Sequence, residues 1–167
     1  MPATYVLLAH TSLSTTASEI VFNSIDQTYT DLVIVGNFRN TSGNELCNLR
    51  FNGDTATNYS YIRTQAVGGS LNTIDDSAAF NRIIGGICST YGQSAVVWDI
   101  FNYSSTSIKK SVLVKGGYSH TGSGTAVGLM VCNLWNNTNA ITDIRVFPDA
   151  GSFSAGSTAT MYGIKKA

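Results

Sequence analysis

Apolar and polar positions alternate in short runs along this chain, and an apolar pattern at helical spacing is found almost nowhere. Asp31-Leu-Val-Ile-Val35, Ala95-Val-Val-Trp-Asp-Ile-Phe101 and Ser111-Val-Leu-Val-Lys115 have the length and β-branched enrichment of strands, and turn residues bound them. The pattern predicts strands over 4–9, 19–22, 32–35, 46–51, 58–67 and 80–84 in the first half. In the second half it predicts them over 95–102, 109–116, 125–134, 140–147 and 158–164, with loops between. Leu32 to Val35 is apolar on both alternating faces, which places it centrally in a sheet with both sides covered or with one side against another subunit.

The connecting segments read as loops over 10–18, as a turn over 36–43, and as an irregular excursion over 68–77 with Asp75 and Asp76 at its tip. Asn52-Gly53 tolerates positive φ and signals a hairpin. Gly85-Gly86 breaks the chain after the 80–84 strand, and the Gly-rich stretch 122–128 reads as a hairpin loop. About ten strands without an intervening helix predict an all-β, antiparallel two-sheet sandwich in a single domain over 1–167. A jelly roll is favoured over an immunoglobulin-like sandwich, which would need fewer strands and a Cys-Trp-Cys framework.

Length agrees with one domain: 167 residues are enough to bury roughly two-thirds of the unfolded surface. Only 12% of residues are charged, and ten basic side chains cancel ten acidic ones. No long-range field gathers polyanions, so nucleic acid is excluded as an expected partner. Near-zero net charge gives little repulsion between copies and favours association into an oligomer or a larger assembly. The sequence shows no secretory signal pattern and no apolar run of membrane-spanning length, which predicts synthesis in a reducing cytoplasm and no membrane partner. Cys47, Cys88 and Cys132 lack zinc-site spacing and read as buried small hydrophobes.

The chemistry-bearing residues are sparse. His10 and His120 are the two histidines, and neither has a second ligand at metal-binding spacing, so both read as solvated loop residues. Ser119-His120 misses the nucleophile-elbow pattern, since adjacent side chains on extended backbone point apart. The expectation is a protein without catalytic residues, cofactor or metal. An acid pair assembled from distant strands, with Asp75, Asp76 and Asp99 as its first candidates, stays open as a distant alternative.

Two charges interrupt apolar strands: Asp99 within Val96-Val-Trp-Asp-Ile-Phe101, and Arg145 within Ile144-Arg-Val-Phe147. Each must reach solvent, a partner charge or a subunit boundary, because an unpaired buried charge costs several kcal/mol. Trp98, Trp135, Tyr59, Tyr61 and Tyr103 have faces on which sugar rings stack, although core packing is the commoner fate of a strand Trp. Trp135, at a strand end, is the candidate exposed anchor.

Tyr29-Thr-Asp-Leu-Val33, Arg50-Phe-Asn-Gly-Asp54 with Asn58-Tyr59, and the closing Gly156 to Lys165 stretch with Tyr162-Gly-Ile-Lys165 together resemble a group of tailed-bacteriophage virion structural proteins. By size and expected jelly roll the chain is similar to capsid decoration, or cement, proteins. The resemblance implies a virion component on the capsid surface, acting as a homotrimer that bridges subunits of the major capsid protein. It transfers no catalytic residue. Tyr5, Asp75, Asp76, Asp99, Trp135 and Arg145 are the candidate subunit or capsid contacts, with the N-terminal 1–5 segment and the 68–77 excursion as docking elements. The alternative within the same class is a tail-fibre or receptor-binding module that grips host-surface glycans.

Overall fold

The computed structural model describes residues 5–119 and 125–165, with side chains throughout except at 74–78 and 119. Twelve strands build two antiparallel sheets, and no helix occurs among the described residues. The first half contributes β1 (Tyr5–Ser12), β2 (Ile20–Phe22), β3 (Asp31–Phe38), β4 (Asn44–Phe51), β5 (Tyr59–Val67) and β6 (Ser70–Phe80). The second contributes β7 (Ile87–Ser89), β8 (Ser94–Ile100), β9 (Lys110–Ser119), β10 (Ala126–Trp135), β11 (Ile144–Pro148) and β12 (Thr158–Ile164). The larger sheet has eight strands in the order β1-β12-β3-β8-β9-β10-β5-β6, and the smaller has four in the order β2-β11-β4-β7.

The chain is therefore the β-sandwich that the alternation predicts. Two hairpins, β5–β6 and β9–β10, lengthen only the larger sheet. With these set aside, eight strands remain, four to a sheet. The larger sheet then runs first, eighth, third, sixth, and the smaller runs second, seventh, fourth, fifth. Consecutive strands thus pass from one layer to the other, except the fourth and fifth, which pair within the smaller sheet, as in a Greek-key sandwich.

The core lies between the layers. Leu32, Ile34 and Phe38 of β3 and Val96, Trp98 and Ile100 of β8 face Cys47, Leu49 and Phe51 of β4, Ile144 and Val146 of β11, and Ile20 and Phe22 of β2. Phe38 stacks on Phe153 at 4.7 Å and meets Trp98 edge-on at 5.9 Å, so aromatic rings close one end of the core. Where the larger sheet outruns the smaller, the segment after β6 covers its inner face. Ile83 exchanges two backbone hydrogen bonds with Leu49, and Ile84 exchanges two with the Asn133 side chain, which satisfies that buried amide.

Four connections differ from the sequence reading. Residues 68–77 are not an irregular loop, because Gly68 and Gly69, both at positive φ, turn the chain directly into β6. Residues 81–84 are not a strand, since backbone pairing there is limited to the bridge between Leu49 and Ile83. β1 runs on through His10 to Ser12, paired with β12, and β3 through Gly36 to Phe38, paired with β12 as far as Asn37 and with β8 through Phe38. Asn52 and Gly53 do adopt positive φ, but the turn carries the chain from the smaller sheet to the larger and closes no hairpin. Asn52 holds that crossing through its side chain, donating to the Ala140 carbonyl and accepting from the Thr142 amide.

Candidate interaction surface

Every second residue of the larger sheet points away from the core, and strand register aligns these residues in rows. One row runs Leu7, Tyr162, Val33, Asp99, Leu113, Cys132 and Ile62. The next runs His10, Thr160, Val35, Val97, Lys115, Met130, Thr64 and Thr73. A third runs Asn37, Ala95, Gly117, Gly128, Ala66 and Leu71. An outward sheet face in water is ordinarily polar, so apolar side chains in successive rows mark a surface built to be covered.

Val35, Ile62 and Met130 are 42%, 46% and 50% exposed, and Leu7 and Leu71 more so. Tyr5 joins them at the β1 edge, its ring edge-on to Tyr162 at 6.3 Å. The charges in the three rows, among the described side chains, are Asp99 and Lys115, which neutralise one another at 2.7 Å; register continues the first row to Asp75, whose side chain lies outside the described residues, and the adjoining row of Tyr5 carries Asp31. Cys132 sits exposed in the same field, which corrects its reading as a buried hydrophobe; Cys47 and Cys88 are buried as expected. Burial pushes the Cys47 thiol well above its ordinary range, with Cys88 alongside adding to the effect.

The predicted contact residues fall in different places. Tyr5 and Asp99 lie on this face. Arg145 lies on the outer side of the smaller sheet, between buried Ile144 and Val146, and reaches Glu19 at 3.5 Å and Asp143 at 3.8 Å. Both interrupting charges therefore find partner charges. Asp75 and Asp76 belong to β6 by backbone, but their side chains lie outside the described residues, as do residues 1–4 and His120. His10 is on a strand, exposed, and bonds through Nδ1 to the Thr160 hydroxyl at 2.8 Å.

Trp135 is no exposed anchor. It is 1% exposed, sandwiched against Tyr59 at 6.1 Å and Phe51 at 5.5 Å, and its Nε1 donates to Asp54. Its position in β10 puts it on the inner, alternating set with Val131 and Asn133. Trp98, Tyr59 and Tyr103 are buried too. Burial pushes the Tyr103 phenol up to about 12, and its hydroxyl donates to the Asp26 carbonyl. A hollow of about 320 Å³ between Asn58, Ser60, Lys109 and Asn136 offers polar groups, but its ring, Tyr59, is turned into the core.

Sequence reasoning reached this face only at Leu32 to Val35, one side of which it allowed to lie against another subunit; the extent of the face across the sheet was missed. The signal was available in β10, where Gly128, Met130 and Cys132 alternate with buried Val127, Leu129 and Val131, leaving both sides without a charge. No protein-family model, curated protein or solved structure matches the chain.

Proposed function

We propose that this chain is a jelly-roll structural protein of a tailed-phage particle, a decoration protein that binds the outer capsid surface and stabilises the shell by bridging neighbouring subunits. The observation that carries the reading is the apolar outer face of the eight-stranded sheet, at whose centre Asp99 and Lys115 neutralise one another, a surface suited to area-dependent contact within an assembly. The strand order supports the jelly roll: with the two inserted hairpins removed, each sheet alternates early and late strands as two Greek keys do. Jelly rolls serve in both capsid and lectin domains. Burial of Trp135, Trp98, Tyr59 and Tyr103 weighs against the glycan-binding alternative, which keeps Tyr61, half-buried, as a ring.

In this reading the protein acts through contact area, with roughly 800 Å² per partner sufficient for specific docking. Copies act as a homotrimer at the shell's threefold positions, where a ring of head-to-tail contacts closes. The test is to add purified protein to shells that lack it. Co-sedimentation with the shells and greater resistance of the shells to heat are expected. Absence of shell binding, together with retention on a glycan array, would reverse the assignment.

A further inference from the structure

We infer that the outer face of the eight-stranded sheet is the surface on which a second copy of this chain sits. The inference rests on the reading above and deepens it by naming what covers this face within the assembly: another copy of the chain. Three observations support a copy as the occupant.

The first is charge. Asp99 and Lys115 lie on β8 and β9, the fourth and fifth of the eight strands, so the ion pair straddles the sheet midline. Among the described side chains of the three rows no charge stands outside this pair, and the centre offers a neighbouring copy one charge of each sign. An acidic or basic partner would gain nothing from so balanced a surface, whereas a chain of zero net charge meets its own copy without repulsion.

The second is area. Eight strands at about 4.8 Å spacing and about 7 residues of length give a face of roughly 34 by 24 Å, close to the 800 Å² a partner contributes to a stable interface. The third is distribution. Of the nine large hydrophobic side chains exposed among the described residues, six (Tyr5, Leu7, Val35, Ile62, Leu71 and Met130) lie on this one face.

Cys132 supplies an internal reporter, because it is exposed within the face and the other two thiols are buried. The experiment measures mass by light scattering and Cys132 reactivity with Ellman's reagent, on the wild type and on Val97→Glu and Met130→Lys. Both substitutions replace outward side chains, and Met130 is half exposed, so at least one variant retains the circular dichroism of the parent. The wild type is expected to be an oligomer with a slow Cys132, and a folded variant a monomer whose Cys132 reacts as a free thiol does. A wild type that stays monomeric at its highest soluble concentration would overturn the inference, as would a folded variant with unchanged mass. A monomer that binds shells and loses that binding in Val97→Glu would also overturn it, assigning the face to the capsid. An oligomer that binds no shell would leave the inference standing and remove the decoration reading instead.

Discussion

Trp135 donates its indole N–H to the Asp54 carboxylate at 2.8 Å, and that bond ties the end of β10 to the turn that leads from the smaller sheet into β5. Asp54 also accepts from the Asn58 amide at 3.0 Å and the Ala56 backbone at 2.9 Å, so one carboxylate fixes the crossing between layers. Asp54→Ala leaves a buried indole donor unpaired, and the expected loss is about 1–3 kcal/mol of folding stability, measured by urea denaturation. Asp54→Asn, which keeps an acceptor oxygen, loses less.

The same residue gives stability a slope in acid. Burial raises the Asp54 carboxyl, but the bonds from Asn58, Trp135, Ala56 and Asn137 outweigh burial and hold it below 3.8. A carboxylate with a folded value below its unfolded one contributes stability that is present above the unfolded value and lost as pH falls through the folded one. The urea midpoint should therefore fall as pH drops below 3.8, and Asp54→Ala should show a shallower fall over that range. Equal slopes would assign the acid sensitivity elsewhere.

Lys110 is a buried cation without a carboxylate. Its Nζ donates to the carbonyls of Ser105, Ile108 and Thr138 at 2.8, 2.5 and 3.0 Å, locking the loop before β9 to the segment after β10. Lys110→Met fills the volume but orphans three carbonyls. Hydrogen bonds to charged groups contribute about 1.5–3 kcal/mol each, so thermal unfolding should show a loss of at least that size. A variant as stable as the parent would mean that water replaces the ammonium.

Gly85 marks where the segment covering the larger sheet presses on β4. A Cβ built there would stand 1.7 Å from the Cys47 carbonyl oxygen and 2.9 Å from Trp98 Nε1, and the first of these is backbone that cannot rotate aside. Gly85→Ala should exceed the about 1–3 kcal/mol of ordinary overpacking and yield little folded protein. Gly92→Ala, with open space around its Cβ, is the control and should melt like the parent.

The two-layer architecture was legible because short β-branched runs recur between turn signals and because alternation survives in strands such as β12, where Thr158 and Thr160 alternate with buried Ala159 and Met161. The β5–β6 hairpin was not. Its second strand is polar and edge-placed, and Gly68-Gly69 there suggests a loop as readily as a tight turn. β7 escaped notice because three residues between glycines and a Ser-Thr turn carry no period. Trp135 was misplaced for a different reason. A strand end is exposed unless another segment crosses it, and the 52–58 turn that covers this one comes from across the sandwich, beyond any local pattern. Asp99 was legible as a charge needing a partner; that Lys115 is the partner depended on the β8–β9 register.

The measurement that bears most directly on the decoration role is an electron cryomicroscopy map of the virion in which this chain is made. The account predicts density for this twelve-stranded sandwich on the outside of the capsid, spanning neighbouring subunits. Density at the tail tip, with the capsid surface bare, would contradict it.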